Sequence, residues 1–446
     1  MLKKLLSVIT LLTLFSGAYA QDFTIDAQLK PRYEHRNGFG ALRPTDGAMD
    51  RAADMVSQRA RIRFLFNDKS EKFRMGFSMQ DVRTWGEINH FANKDVGNFH
   101  VHEAWGELLF SDVFSAKVGR QELVYDDHRI FGSVDWAQQA RSHDALVLKY
   151  EGNFKLHGGI SIATTGETLF YEQNQRNSYK SMQYLWFHKD LSENVKLSAL
   201  AMNLGLENDK DPATNNRTDF ETVYQQTLGA RAEFRPGKIG VNAAFYYQMG
   251  KTGVDIANAQ TQKNLSAYNA LVEVLFSAND ALSFTLGGEL LSGTSYDADA
   301  DVNNSFNPYF GTNHKFNGHM DYFYVGGRNP KGGLTDIYLG ATYKMEEWKF
   351  YGRIHSFMSG AEISDGQGVK VDSNLGTELD LNANYKFNEY ISIQGGWSAM
   401  FATESMQYAT AANAGGDSGK FNNWGWMGLV IKPTLFSTKK KEVAAN

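Results

Sequence analysis

The sequence predicts an all-β fold: a transmembrane antiparallel β-barrel of about eighteen strands, with long extracellular loops and short periplasmic turns. Three observations carry this. Apolar and polar residues alternate with a period of two through nearly the whole chain. The connections alternate strictly between short turns and long polar loops. The chain also opens with a secretory leader.

In the leader, Lys3 and Lys4 precede an apolar run from Leu5 to Phe15, and Ala18 and Ala20 are the small residues a signal peptidase reads. The run is too short to span a bilayer as a helix. Cleavage is expected before Gln21, which divides the chain into a signal peptide at 1–20, a barrel at 21–436 and a charged tail at 437–446.

Composition narrows the function classes. The chain has no cysteine, which removes a lipoprotein anchor, disulfides and thiolate metal sites. Its net charge is −5, and loss of the two leader lysines takes it to −7. That balance argues against a nucleic-acid partner, which would need a basic footprint. Past the leader no apolar run approaches the ~18 residues of a membrane helix. Mean hydropathy is negative, as in a membrane barrel, where only alternate strand residues meet lipid.

The strands follow in order. The first is expected over 23–36. In 56–67, Ala60, Ile62, Phe64 and Phe66 oppose Arg59, Arg61 and Arg63. In 72–83, Phe73, Met75, Phe77 and Met79 oppose Arg74, Ser78 and Gln80. Segments 100–110, 113–120, 141–151, 153–164, 178–189, 194–206, 222–235, 238–250 and 264–277 continue the pattern. In 280–293, Leu282, Phe284, Leu286 and Leu290 oppose Ser283, Thr285 and Glu289. Segments 333–345 and 347–359 come next. In 373–387, Leu375, Thr377, Leu379, Leu381, Ala383, Tyr385 and Phe387 form one face, with Gly376, Glu378, Asp380, Asn382, Asn384 and Lys386 on the other. A helix cannot separate such sets; a strand does so automatically. Strand 390–403 sets Ile391, Ile393, Trp397 and Phe401 against Ser392, Gln394 and Ser398, and 422–436 ends on Leu435-Phe436.

Short turns fall at 67–71, 111–112, 152, 190–193, 236–237, 278–279, 346 and 388–389. Long loops fall at about 37–55, 84–99, 121–140, 165–177, 207–221, 251–263, 294–332, 360–372 and 404–421. An outer-membrane barrel with both termini in the periplasm requires this order; a soluble β-sandwich does not. Aromatics near strand ends, including Trp105, Trp186, Tyr246, Trp348, Trp424 and Trp426, suit either a headgroup belt or plain β-propensity.

Strand parity places Arg59, Arg61, Arg63, Arg74, Arg231 and Arg353 in the lumen. A ladder of guanidinium groups attracts anionic solutes. The alternative is that these arginines brace the wall against lumen acids such as Glu103, Glu107, Glu233, Glu273, Glu289, Glu378 and Asp380. No Gly-x-Ser-x-Gly elbow occurs, and no catalytic residue, cofactor or metal site is assigned. His100 and His102 lack a third ligand. Asp297, Asp299 and Asp301 alternate in the longest loop, a pattern of a calcium site or, more simply, of a solvated acidic loop.

Gly119-Arg120-Gln121, Arg129-Ile130-Phe131-Gly132, Asp135-Trp136 and Arg141-Ser142-His143-Asp144, followed by alternating Ala145 to Leu148, resemble the alginate-export family of outer-membrane porins. The Arg-x-Arg strand at 59–63 and the Ala104-Trp105 strand are similar too. The resemblance implies a monomeric eighteen-stranded barrel with an arginine-rich constriction that passes a polyuronate. It also implies that Arg120, Arg129, Arg141 and Asp144 belong to the pore or its inward loop. This chain departs from the family in its acidic balance and in His143, which stands where an aromatic is expected.

The expected function is a passive channel for an anionic oligo- or polysaccharide or another small polar solute, in contact with outer-membrane lipid. A general or different-substrate porin with a mixed-charge lumen is the alternative. An outer-membrane enzyme or an adhesin ranks behind both.

Overall fold

The computed structural model describes residues 22–45, 50–88, 98–164, 166–167, 169, 179–209, 220–253 and 262–439. The expected signal peptide and most of the charged tail lie outside them. The strands are β1 (Asp22–Asn37), β2 (Ala53–Asn67), β3 (Phe73–Thr84), β4 (Phe99–Leu109), β5 (Phe114–Gln121), β6 (His143–Glu151) and β7 (Lys155–Ile162). They continue with β8 (Ser181–Ser192), β9 (Val195–Asp209), β10 (Phe220–Phe234), β11 (Ile239–Lys251), β12 (Asn264–Ser277) and β13 (Leu282–Leu291). After the short β14 (Val302–Asn303) come β15 (Leu334–Met345), β16 (Trp348–Met358), β17 (Asn374–Lys386), β18 (Ile391–Ala402), β19 (Asn422–Ile431) and β20 (Thr434–Ser437).

Nineteen of these form an eighteen-strand wall, in which β20 continues the line of β19 along β1. Each wall strand pairs antiparallel with its neighbour, β13 passes directly to β15, and β19 and β20 close the barrel on β1. β14 is not part of the wall; it pairs in parallel with the loop end of β12. Every predicted strand is present to within a few residues.

Two local expectations are corrected. The last strand is not continuous over 422–436: it stops at Ile431 and resumes at Thr434, and Pro433, which has no N–H to give, sits in the gap. The Pro433 carbonyl still accepts from Ala27 N–H at 3.0 Å. Within 373–387, Leu375 is not on the lipid side. A register shift near Phe357 leaves Leu375 unpaired, Gly376 takes φ +128°, and Leu375 turns fully inward. Trp186, Tyr246 and Trp424 also point inward and are buried, so they belong to no headgroup belt.

The burial pattern is inverted relative to a water-soluble protein. Leu286, Leu339, Ile160 and Val272 lie more than half exposed on the outer face, while Arg59, Gln80, Gln248, Glu378 and Asp380 are wholly buried inside. Water would penalise that outer surface at about 25 cal/mol per Å²; hydrocarbon does not, and a closed barrel leaves no wall N–H or C=O to face it.

The interior is filled from one end. The connections 122–142 and 292–333 fold into the lumen, where Leu123, Ile130, Phe131, Phe306, Met320, Tyr322 and Phe323 form a buried cluster with inward wall residues. The strand pattern places both among the long extracellular loops; only the family resemblance implies an inward loop, and only for the first of them.

Candidate functional site

The site is built where these two connections meet each other and the wall. Gly132 N–H donates to Phe310 O and Thr312 N–H to His128 O, each at 2.9 Å. Trp136 stacks on His314 at 4.2 Å with ring planes 8° apart.

Basic residues of β1 and β2 hold the first connection. Arg59 donates to Asp135 Oδ1 at 2.6 Å and to Gln138 O at 3.2 Å. Lys30 donates to Asp135 O at 2.6 Å and Arg32 to Trp136 O at 2.7 Å, with the Arg32 guanidinium 4.0 Å over the Trp136 ring. Acids of β13, β15 and β17 hold the second. Glu289 and Asp336 accept from Asn317 Nδ2, Asp380 accepts from His319 N–H at 3.2 Å, and Glu378 accepts from Met320 N–H at 2.8 Å. Gly318 allows that approach: its φ is +85°, and a Cβ there would lie 2.6 Å from Glu378 Oε1.

The predicted arginines separate into distinct environments. Arg59 is buried in the contacts just described. Arg61 donates to Gln80 Oε1 at 2.7 Å, with Glu122 4.0 Å away. Arg63 pairs with Asp26 at 2.6 Å, and Arg74 is exposed at the short-turn rim beside Asp22 and Glu71. Arg231 pairs with Asp127 at 2.6 Å. Arg129 pairs with Glu289 and donates to Asn317. Arg141 donates to Gly311 O at 3.1 Å, and burial lowers its pKa to about 10, which leaves it charged at neutral pH.

Arg120 and Asp144 are not in the lumen. They pair with each other at 3.0 Å as cross-strand neighbours, and Asp144 shares its face with Leu146 and Leu148, not with the buried Ala145 and Val147. His143 is buried and hydrogen-bonds Tyr179. His100 and His102 are taken by Gln80 and Glu122.

Between the connections and the wall lies a cavity of about 600 Å³. Its five carboxylates are all engaged: Asp127 by Arg231, Asp135 by Arg59 and Lys30, Glu289 by Arg129, Asp336 by His355, and Glu273 by Asn242 and Tyr338. Two of its cations are not so paired. Arg353 rests on the faces of Tyr338 and Tyr351 at 4.3 and 5.4 Å, its Nε without a partner, and makes no ion pair among the described residues. Lys315 donates to the backbone carbonyl of Asp127 and makes no ion pair among the described residues. Sequence reasoning missed Lys315, Asn317 and His319, because nothing in a polar loop's composition says that it folds inward.

A family model described as Alginate export matches residues 20–416. No curated protein matches the chain. Among solved structures, OccAB4 of Acinetobacter baumannii is similar at 13% identity and TM-score 0.61, over 94% of this chain and 100% of that one. OpdQ of Pseudomonas aeruginosa is similar at 11% identity and TM-score 0.59, over 93% and 98%. OpdK of Pseudomonas aeruginosa, solved with vanillate, is similar at 10% identity and TM-score 0.56, over 92% and 98%. At such identities the likeness is one of fold.

Proposed function

The chain belongs to the alginate export family of outer-membrane β-barrels, and from that premise we propose that it is a passive channel for small anionic or polar, carbohydrate-like solutes. In this reading residues 1–20 are removed on export, the short turns and both termini face the periplasm, and the barrel works as a monomer in outer-membrane lipid.

The observation that carries the reading is the charge state of the cavity. Its acids are engaged within the protein, while Arg353 and Lys315 are left to a solute. Trp426 and Tyr351 add aromatic surface to the lining, while the Trp136 ring is already covered by His314 and Arg32. A cavity of this size suits a small ring-bearing molecule. The two connections crossing the lumen favour short solutes over a long polyuronate, and the arginines expected to form the anion ladder are already occupied by Asp135, Glu122 and Asp26.

A second reading, a general porin with a transverse field, draws on a different observation. The inward cations Lys30, Arg32, Arg59 and Arg61 stand on β1 and β2, and the inward carboxylates Glu273, Glu289, Asp336, Glu378 and Asp380 on β12–β17, although each side also carries groups of the other sign, such as Glu34 and Arg353. Single-channel recording with neutral and acidic mono- to hexasaccharides separates the two. Preference for short acidic sugars that fades with salt supports the first. Permeation ordered by size alone supports the second. Absence of conductance steps rejects both and points to an enzyme or an adhesin.

A further inference from the structure

The β15–β19 wall carries a group of cations that the cavity does not account for. Lys344 and Lys349 are Cα partners in the β15–β16 hairpin. Alternation puts Lys344 on the face of Asp336 and Tyr338, and Lys349 on the face of Tyr351 and Arg353, so both look into the lumen at its short-turn mouth. Like charges directly opposite in an antiparallel pair are destabilising. Lys386 lies on the lumen face of β17, and its N–H donates to Glu347 O at 2.9 Å, which sets it against the same hairpin. Lys386 and Lys432 line one further cavity of about 250 Å³ with Lys30 and Asp135.

All four lysines are exposed, and none makes an ion pair among the described residues. The acids in the adjoining turns, Glu346, Glu347 and Glu389, lie near them without direct pairing. Glu389 accepts a hydrogen bond from Tyr390, and among the described residues no ion pair joins Glu346, Glu347 or Glu389 to these lysines. Asp135 is taken by Arg59 and Lys30. Inward from Lys349 on the same face, at about 6–7 Å per step, come Tyr351 and then Arg353.

We infer that Lys344, Lys349, Lys386 and Lys432 form an anion-capture collar at the short-turn mouth, which draws oligomeric carboxylates in from that side and hands them to Arg353. The inference rests on the channel reading and adds a sidedness to it. The side chains face the lumen, so lipid headgroups are not the occupant. On the β2 wall Arg59 and Arg63 are matched by carboxylates; on this wall the charges are unmatched, and the capturing track is here.

The test uses the full mature chain in planar bilayers with hexagalacturonate as the probe. The chain has no cysteine, so Glu346→Cys, modified by a charged membrane-impermeant thiol reagent, identifies the chamber the short turns face. Block should be faster from that chamber at about 0.1 M salt, where the screening length is about 10 Å, and the asymmetry should fade at about 1 M. The triple variant Lys344→Gln, Lys349→Gln, Lys386→Gln should lose roughly ten-fold in block rate from that chamber only. The corresponding Lys→Arg triple variant should keep it. Block unchanged by the Gln variant, or lowered equally from both chambers, overturns the collar while leaving the channel. A wild-type protein that gives no conductance overturns the channel reading and the collar with it.

Discussion

Arg129 and Glu289 form an ion pair at 2.8 Å in which both side chains are almost completely withdrawn from solvent, at 1% and 2% exposure. One lies on the connection after β5, the other on the wall strand β13. Asn317, from the second connection, completes the knot by bonding both. Three segments far apart in sequence therefore meet at one buried charge pair.

Removing one member of such a pair leaves the other buried without its partner, at a cost of about 3–5 kcal/mol. Glu289→Gln should charge that cost to loop attachment and leave the barrel itself intact. Larger conductance and faster proteolysis within 122–142 are expected, with an unchanged wall. If conductance and cleavage match the wild type, the knot does not hold the loops.

Arg59 and Arg63 should behave differently although they are two residues apart. Arg59→Gln leaves Asp135 to Lys30 alone and removes the donor to the Gln138 carbonyl, so conductance noise should rise as the connection loosens. Arg63→Gln removes a charge already matched by Asp26 at the mouth, and the anion-to-cation permeability ratio should change little. A large selectivity change with Arg63→Gln would restore β2 as an anion ladder.

Leu286 is 57% exposed in the middle of β13. Leu286→Arg should cost about 2–4 kcal/mol of folding stability in bilayers. Asn384→Arg, on the lumen face, should stay within about 0.5 kcal/mol. Equal costs in a lipid-vesicle unfolding titration would reverse the assigned faces.

The pH response should come from His319, on the second connection. Burial lowers its pKa from 6.5 to about 4, with Asp380 opposing and His314, His355 and Arg353 reinforcing. A depressed pKa means that the closed arrangement binds the neutral ring. Its stability is complete above pH 6.5 and is lost as pH falls toward 4. Open-channel fluctuation should grow across that window and shrink in His319→Asn. A response confined to more alkaline pH would exclude this histidine.

The wall was legible in the sequence because a period of two is local: Leu286 against Glu289 needs no knowledge of partners. Leu375 was not, since its inward turn depends on a register shift against β16. Asp144 could have been placed outside by its parity with Leu146 and Leu148, but motif likeness to a family put it in the pore. Glu378 was legible as a lumen acid, yet not as a clasp, because Gly318 and Met320 arrive from sixty residues away in sequence. Pairings across loops of this length leave no periodic trace, so the occupancy of Arg59 and Arg61 by Asp135 and Glu122 was hidden too, whereas Asp26 meets Arg63 directly across the β1–β2 pair.

The prolines at the closing seam have a consequence for the chain before it is a barrel. Ala27 N–H points across the seam to Pro433, and Pro31, four residues on in the same alternation, would point the same way had it a hydrogen to offer. In an unclosed sheet, β1 and the β19–β20 run are raw edges, the surfaces most prone to stick to another copy. Each edge has a missing rung, which weakens stacking against a foreign strand along its full length. The two gaps are offset along the seam, Pro433 opposite Ala27 and Pro31 between the Leu29–Ile431 and Arg32–Gly428 pairs. A foreign strand therefore finds no unbroken ladder on either edge, and the molecule carries its own safeguard against aggregation during assembly.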